Sequence, residues 1–211
     1  MHQLYDWFGA NVALFHLINS LHTAWWDRFM LALTWLGDHE RYPYYMAMVV
    51  MVAYLRPHWL QPRSVAVFGI AYACTAVAVM VLKPQVNFPR PLLVLGKEVI
   101  LVGRPEYHHS FPSGHATFSV LLAAALSPGV GQQAKWALWA FAALVCVSRV
   151  SLGVHFPADV LAGASLAVVT VWAVSLALQR IDNRLRDNRQ QTTDHKPRTP
   201  DDKPTVHARD V

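Results

Sequence analysis

Apolar and polar positions along this chain segregate into blocks, and the apolar blocks recur at helical rather than strand spacing. From Leu4 to about His22 the apolar positions Leu4, Trp7, Phe8, Val12, Leu14, Phe15 and Ile18 fall at helical intervals, broken by Asn11, His16 and Asn19. That pattern predicts an amphipathic helix lying at a membrane interface, or the start of a crossing. Phe29 to Leu36 is short for a span, which needs about 20 residues. It is therefore joined to the residues before it as one tilted first crossing, with Trp25 and Trp26 at headgroup level. After the polar break Gly37 to Arg41, a second crossing is predicted over Tyr42–Leu55 and a third over Ser64–Leu82. A long loop, Lys83 to Phe111, carries short apolar patches at Pro91–Leu95 and Val99–Val102. The fourth, fifth and sixth crossings are predicted over Ser113–Leu126, Trp136–Leu152 and Ala158–Leu178. The expected fold is an all-α membrane protein: a bundle of six transmembrane helices with an interfacial N-terminal segment.

Composition agrees with that picture. Of 211 residues, 54% are hydrophobic and only 15% are charged, against roughly a quarter charged in soluble domains. The reading divides the chain into a membrane-embedded domain, residues 1–179, and a polar tail, 180–211, disordered beyond about Gln190. Cys74 and Cys146 sit inside apolar runs and read as packed thiols rather than a disulfide framework. The start lacks a cationic region followed by a clean apolar core, so no cleavable signal peptide is expected. The net charge is only +5, and no nucleic-acid partner is inferred from it.

Chain parity places three polar stretches on one membrane face. Lys83 ends the third crossing, Ser113 opens the fourth, and Ser148 to Asp159 joins the fifth to the sixth. The other face carries Arg56, Arg63, Lys135 and the tail residues Arg180, Arg184, Arg186 and Arg189. An excess of Lys and Arg in short loops marks a cytoplasmic face. The expected location is a bacterial inner membrane, with the three stretches facing the periplasm or exterior and the tail in the cytoplasm.

Those stretches hold complementary chemistry. Ionisable groups between apolar runs are costly and mark a site by default. Arg90 and Arg149 each offer a planar fork for phosphate oxygens, and Lys83 a point charge. Ser113 and Gly114 open the fourth helix, whose first free N–H groups form an anion site that the serine hydroxyl extends. His155 stands just before the sixth helix, and Asp159, four residues on, can accept from its Nδ1. That bond fixes the tautomer and frees Nε2 as a nucleophile. His115 can protonate a leaving oxygen and later activate water. Taken singly, each residue has an ordinary explanation: a solvated histidine, a headgroup-anchoring arginine, a helix-capping serine. Their convergence on one face is what outweighs those readings. No acidic cluster of the kind that holds magnesium is present, so no metal or other cofactor is expected.

Lys83 with Arg90-Pro91, Pro112-Ser113-Gly114-His115, and Ser148-Arg149 with His155 and Asp159 resemble the three-part signature of the type 2 phosphatidic acid phosphatase superfamily. The resemblance runs from about Ser64 to Leu178, with no departure at a motif position. It implies a phospho-histidine on His155 oriented by Asp159, with His115 as general acid. It also implies phosphoryl binding by Lys83, Arg90, Ser113, Gly114 and Arg149, a six-helix bundle, and hydrolysis without metal. His108, His109 and Ser110, upstream of the second motif, are candidate contacts for a second phosphate or a headgroup, though a solvated loop is the commoner explanation. Lys97, Arg104 and Glu106 share that loop and could tune headgroup choice.

The function expected is a membrane lipid phosphatase acting on a phosphate monoester or diphosphate, with undecaprenyl diphosphate the first choice. Phosphatidylglycerol phosphate and the phosphates of lipid A are the other substrates considered, and transfer to another lipid such as lipid A is a variant of the same chemistry. The vanadate haloperoxidases share the anion site but are soluble. A non-catalytic headgroup binder would need the cations but not the nucleophile and its orienting carboxylate. The expected partners are the lipid substrate and the bilayer, with no obligate protein partner.

Overall fold

A computed structural model describes residues 6–194, with side chains described as far as Gln190. Leu4, the expected start of the first segment, and the tail beyond Asp194 lie outside the described residues. The described chain is helical, without strands. Eight α-helices follow in order: α1 Ala10–Asn19, α2 Ala24–Leu36, α3 Tyr42–Leu55, α4 Pro62–Val86, α5 Pro91–Leu95, α6 Gly114–Leu126, α7 Gln132–Ser151 and α8 Pro157–Asp194. Three stretches are long and apolar enough to cross a bilayer: Pro62–Glu98, Gln132–Ser151 and Pro157–Gln190.

The chain divides into two compact units, one through Val174 and one from Ser175. In the first unit, α6 packs against α4 and α7, α7 also packs against α1 and α2, and α3 lies on α4. Only 13 residues long, α6 extends about 20 Å at 1.5 Å per residue. Ten of those residues are buried, which makes it the central helix. Around it large apolar side chains face outward: Ile70, Val77 and Met80 on α4, Trp136 and Trp139 on α7, Leu161, Val169 and Trp172 on α8. An exterior of this kind suits hydrocarbon rather than water. Within the second unit the described residues, 175–194, are helical.

Two expectations change. The single tilted first crossing is two helices, α1 and α2, separated at Ser20–Thr23. Thr23 adopts an extended conformation and its hydroxyl accepts from the Trp26 amide at 3.1 Å, an N-cap that starts a new helix. His22 Nδ1, 2.6 Å from Asp27 Oδ1, ties the same turn. The last helix also continues past Leu178 to Asp194, where a polar tail was expected from residue 180. Arg, Leu and Gln are good helix formers, and Asp182 and Arg186 stand one turn apart with opposite charge. Polarity there reflects solvent, not loss of helix.

The polar positions of α1 also change meaning. Asn11, Phe15 and Asn19, spaced four apart, are its buried residues. Asn19 Nδ2 donates to Ile100 O at 2.8 Å and to Ser151 O at 2.9 Å, while its Oδ1 accepts from the Ile100 amide at 2.9 Å. Asn11 Oδ1 accepts from the Ala158 amide at 3.0 Å. Phe15 packs between them on Phe156, with ring centroids 5.3 Å apart. The α7–α8 link is therefore gripped at both ends by α1. Gly153 in that link has φ +78°, and a Cβ there would lie 2.7 Å from Ile100 O, so only glycine fits. Replacing Asn19 by alanine removes three hydrogen bonds, the one to Ser151 O fully buried and the two to Ile100 partly so. We expect it to lower unfolding stability by about 2–3 kcal/mol, measured by thermal unfolding in detergent.

Candidate active site

Three segments meet at one end of the bundle, and each is fixed by backbone. The Ser113 amide donates to Asp159 O at 3.0 Å, joining the start of α6 to the first turn of α8. Gly163 permits that approach, since a Cβ there would lie 2.5 Å from Ser113 O. The Val154 and His155 amides both donate to Arg149 O at 3.2 Å, folding the α7–α8 link back over the end of α7. Ser110 N donates to Phe88 O at 3.0 Å, and Arg90 N to Tyr107 O at 2.9 Å, closing the long loop over the same end.

His155 and Asp159 are buried, the latter completely. Asp159 Oδ2 accepts from the Phe156 amide at 2.9 Å and from Ser110 Oγ at 2.5 Å, and lies 3.5 Å from His155 Nδ1. Ser110 Oγ is also 3.3 Å from that Nδ1. The carboxylate and the serine thus share the Nδ1 side of the ring, leaving Nε2 for chemistry. Burial pushes His155 down to about 3 despite the opposing pull of Asp159, so the imidazole is neutral at physiological pH. An unfolded chain takes up a proton there near 6.5. The contribution of this burial to stability is therefore intact above that pH and is lost as pH falls from about 6.5 toward 3.

The cations divide by what already holds them. Arg90 donates from Nε to His108 O at 3.0 Å and from Nη1 to Val154 O at 3.2 Å, and its Nη2 pairs with Glu106 at 2.5 Å. It knits the long loop to the His155 link as well as carrying charge. Arg149 is different. Its Nη1 donates to Thr34 Oγ1 at 3.2 Å, and Thr34 meets Ser148 Oγ at 2.8 Å. Its buried Nε has no hydrogen-bond partner. The buried Ser113 Oγ is likewise unpartnered. Buried polar atoms are rarely left so, and two at one site mark a place for a polar ligand. Gly114 opens α6 with its first free amides beside Ser113. Lys83 stands in the last turn of α4, and His115 is the second residue of α6, edge-on to His39 with centroids 6.0 Å apart.

The expected residues Lys83, Arg90, Ser113, Gly114, His115, Arg149, His155 and Asp159 thus lie on the three segments that converge here. His108 and His109 are exposed. They serve the frame: the His108 carbonyl takes Arg90, and His109 Nδ1 is 3.2 Å from Lys83 O. Among the described residues no group of three His, Cys, Asp or Glu side chains gathers as a metal site.

A family model for the PAP2 superfamily matches residues 64–182, more than half of the chain. The chain belongs to the PAP2 superfamily. It is 32% identical over 162 residues to an undecaprenyl-diphosphatase of Sulfolobus acidocaldarius, covering 74% of this chain and 72% of that one. Its fold is similar to the crystal structure of Aquifex aeolicus LpxE, with TM-score 0.69 and 30% identity over 80% of this chain and 95% of that one. It also resembles the first transmembrane PAP2-type phosphatidylglycerolphosphate phosphatase from Bacillus subtilis, with TM-score 0.62 and 25% identity, covering 82% and 86% of the two chains. This PAP2 protein is a membrane phosphatase acting on lipid phosphates.

Two residues near the PAP2 motifs, Thr34 and His39, escaped the sequence reading, and a third, Ser110, was read only as part of the polar stretch His108-His109-Ser110. Thr34 steadies Arg149 from 115 positions away, and Ser110 joins His155 to Asp159. His39, in the polar break before α3, faces His115. Only Ser110 carried a usable signal, its place directly before Phe111-Pro112-Ser113.

Proposed function

We propose that this PAP2 phosphatase hydrolyses the terminal phosphate of a prenyl diphosphate such as undecaprenyl diphosphate through a phospho-histidine. The observation that carries the reading is the pair of buried, unpartnered donors, Arg149 Nε and Ser113 Oγ, at the place where the neutral His155 is held by its Nδ1 side. The Sulfolobus relative, an undecaprenyl-diphosphatase, supports this substrate.

In the first step His155 Nε2 forms a bond to the terminal phosphorus as the bridging P–O bond breaks. The electron pair stays with the bridging oxygen, which His115 protonates. Asp159 and Ser110 stabilise the cationic phospho-imidazole. In the second step His115 takes a proton from water, whose oxygen attacks phosphorus, and the N–P pair returns to His155. Inorganic phosphate leaves. Lys83, Arg90, Arg149, Ser113 Oγ and the Gly114 amide offset the charge on the three equatorial oxygens. A second reading, action on a phospholipid monoester, is favoured by the likeness to the Bacillus phosphatidylglycerolphosphate phosphatase.

We place residues 1–179 in the membrane as the phosphatase domain, with α2, α3, α4, α6, α7 and α8 as six crossings and α1 at the interface. The site faces the exterior of an inner membrane. Arg56, Arg63 and Lys135 mark the opposite, cytoplasmic face, and chain parity carries the tail there.

The test is phosphate release by the purified protein in excess EDTA. The panel is undecaprenyl diphosphate, phosphatidylglycerol phosphate, phosphatidic acid and lipid A. We expect the diphosphate to turn over fastest, with no loss of rate in the chelator. Preference for a monoester supports the second reading, and a rate that needs added magnesium overturns the metal-free mechanism. Transfer of a labelled phosphoryl group to an acceptor lipid in place of release makes the protein a phosphotransferase.

A further inference from the structure

A cavity of about 230 Å³ lies between α4 and α6 beside the proposed phosphoryl site. Its lining includes Lys83 and Gly114, both already assigned to phosphate, and His39, which belongs to no motif. The remaining wall is largely apolar, with Val79 and Phe118 among its members. The cavity is therefore polar where it meets the motifs and apolar beyond, the shape required by an anionic group attached to a hydrocarbon.

His39 is held in place by its surroundings. Its carbonyl accepts from Tyr72 Oη at 3.2 Å, and Asp38 caps the same turn by accepting from the Glu40 amide at 3.1 Å. Its Nδ1 is 3.3 Å from Asp38 Oδ1, and a ring that donates there can also donate from Nε2 to a phosphate oxygen only as the imidazolium, the form that a bound phosphate favours. The ring is half-exposed and meets His115 edge-on. In the proposed reaction His115 protonates the leaving oxygen, so His39 stands on the leaving-group side, beyond the bond that breaks.

We propose that this cavity is a subsite for the second phosphate of a lipid diphosphate, with His39 as its specificity-determining residue and Lys83 reaching both phosphates. The inference rests on the phosphatase reading above and deepens it. When His155 attacks the terminal phosphorus of a diphosphate, the leaving group is a prenyl phosphate carrying its own negative charge. When it attacks a monoester, the leaving group is an alcohol that is neutral once protonated. A histidine backed by a carboxylate, one bridging oxygen past the scissile bond, interacts with the first leaving group and finds nothing ionic on the second. The apolar wall receives the first carbons of the prenyl chain.

The test compares kcat/KM for farnesyl diphosphate and farnesyl monophosphate, which share a chain, in wild type, His39→Ala and His39→Gln. We expect the diphosphate-to-monophosphate ratio to fall about tenfold or more in His39→Ala, the scale of a lost charge-assisted hydrogen bond. His39→Gln keeps a donor without a cationic state and should fall between, and it serves as the folding control. An equal loss on both substrates, or an unchanged ratio, overturns the subsite while leaving the phosphatase reading intact. Wild-type protein that releases phosphate from the monoester but not from the diphosphate overturns both the diphosphate reading and the subsite.

Discussion

Replacing His155 with alanine should reduce lipid phosphate release by about 10⁵-fold or more, the scale on which loss of a covalent nucleophile acts. The imidazole is neutral, buried and held on its Nδ1 side by Asp159 and Ser110, while His115 enters from a different helix. The substitution removes a buried ring but none of the backbone contacts that shape the link, which run from the His155 and Val154 amides to Arg149 O. The variant should therefore insert and unfold cooperatively while remaining inactive. Acid-quenched single turnovers with radiolabelled substrate provide the check. Wild type should trap an acid-labile phospho-enzyme, and His155→Ala should trap none. Wild-type turnover in the variant would remove His155 from the mechanism.

Arg149→Lys is the second large effect. Lysine keeps the positive charge, and its backbone carbonyl still accepts from the link. It loses the Nε donor, which has no partner within the protein, and the fork that reaches Thr34 from Nη1. A compact ammonium cannot reproduce two donors in a plane. We expect kcat/KM to drop by about 10²–10³, as when a preorganised donor to a charged transition state is removed. The fall should lie mainly in kcat, because the charge it meets grows along the reaction. Stopped-assay kinetics on one lipid, with thermal unfolding as control, decide it. A change in KM alone would mean that Arg149 only docks the substrate.

The motif residues were legible because their spacing is local and their chemistry is shared: Lys83 with Arg90, Ser113 with His115, Arg149 with His155 and Asp159 each sit within one short stretch. Helix α3 was equally legible, its Tyr42–Leu55 bounds marked by polar breaks on both sides. What failed was the meaning of isolated polar side chains in apolar helices. Asn11 and Asn19 read as interruptions of an interfacial helix, although with Phe15 they form one face that braces the α7–α8 link. Thr34 and Ser148 are 114 positions apart, and nothing around either announces the other. His39 lay in a segment that looked like a turn and no more. The division of α1 from α2 depended on one hydroxyl cap at Thr23, which apolar periodicity does not register.

The burial of α6 bears on how the enzyme is made. A thirteen-residue helix enclosed by its neighbours has little lipid-facing surface of its own to settle it in a bilayer, and α7 and α8 are synthesised after it. Its start is tied to Asp159, on α8. Assembly must therefore follow the two-stage order in which spans insert first and pack later, and a nascent chain stalled anywhere before α8 has no closed site. Hydrolytic activity therefore waits for α8, so a polypeptide that stops short of it leaves the surrounding lipids untouched.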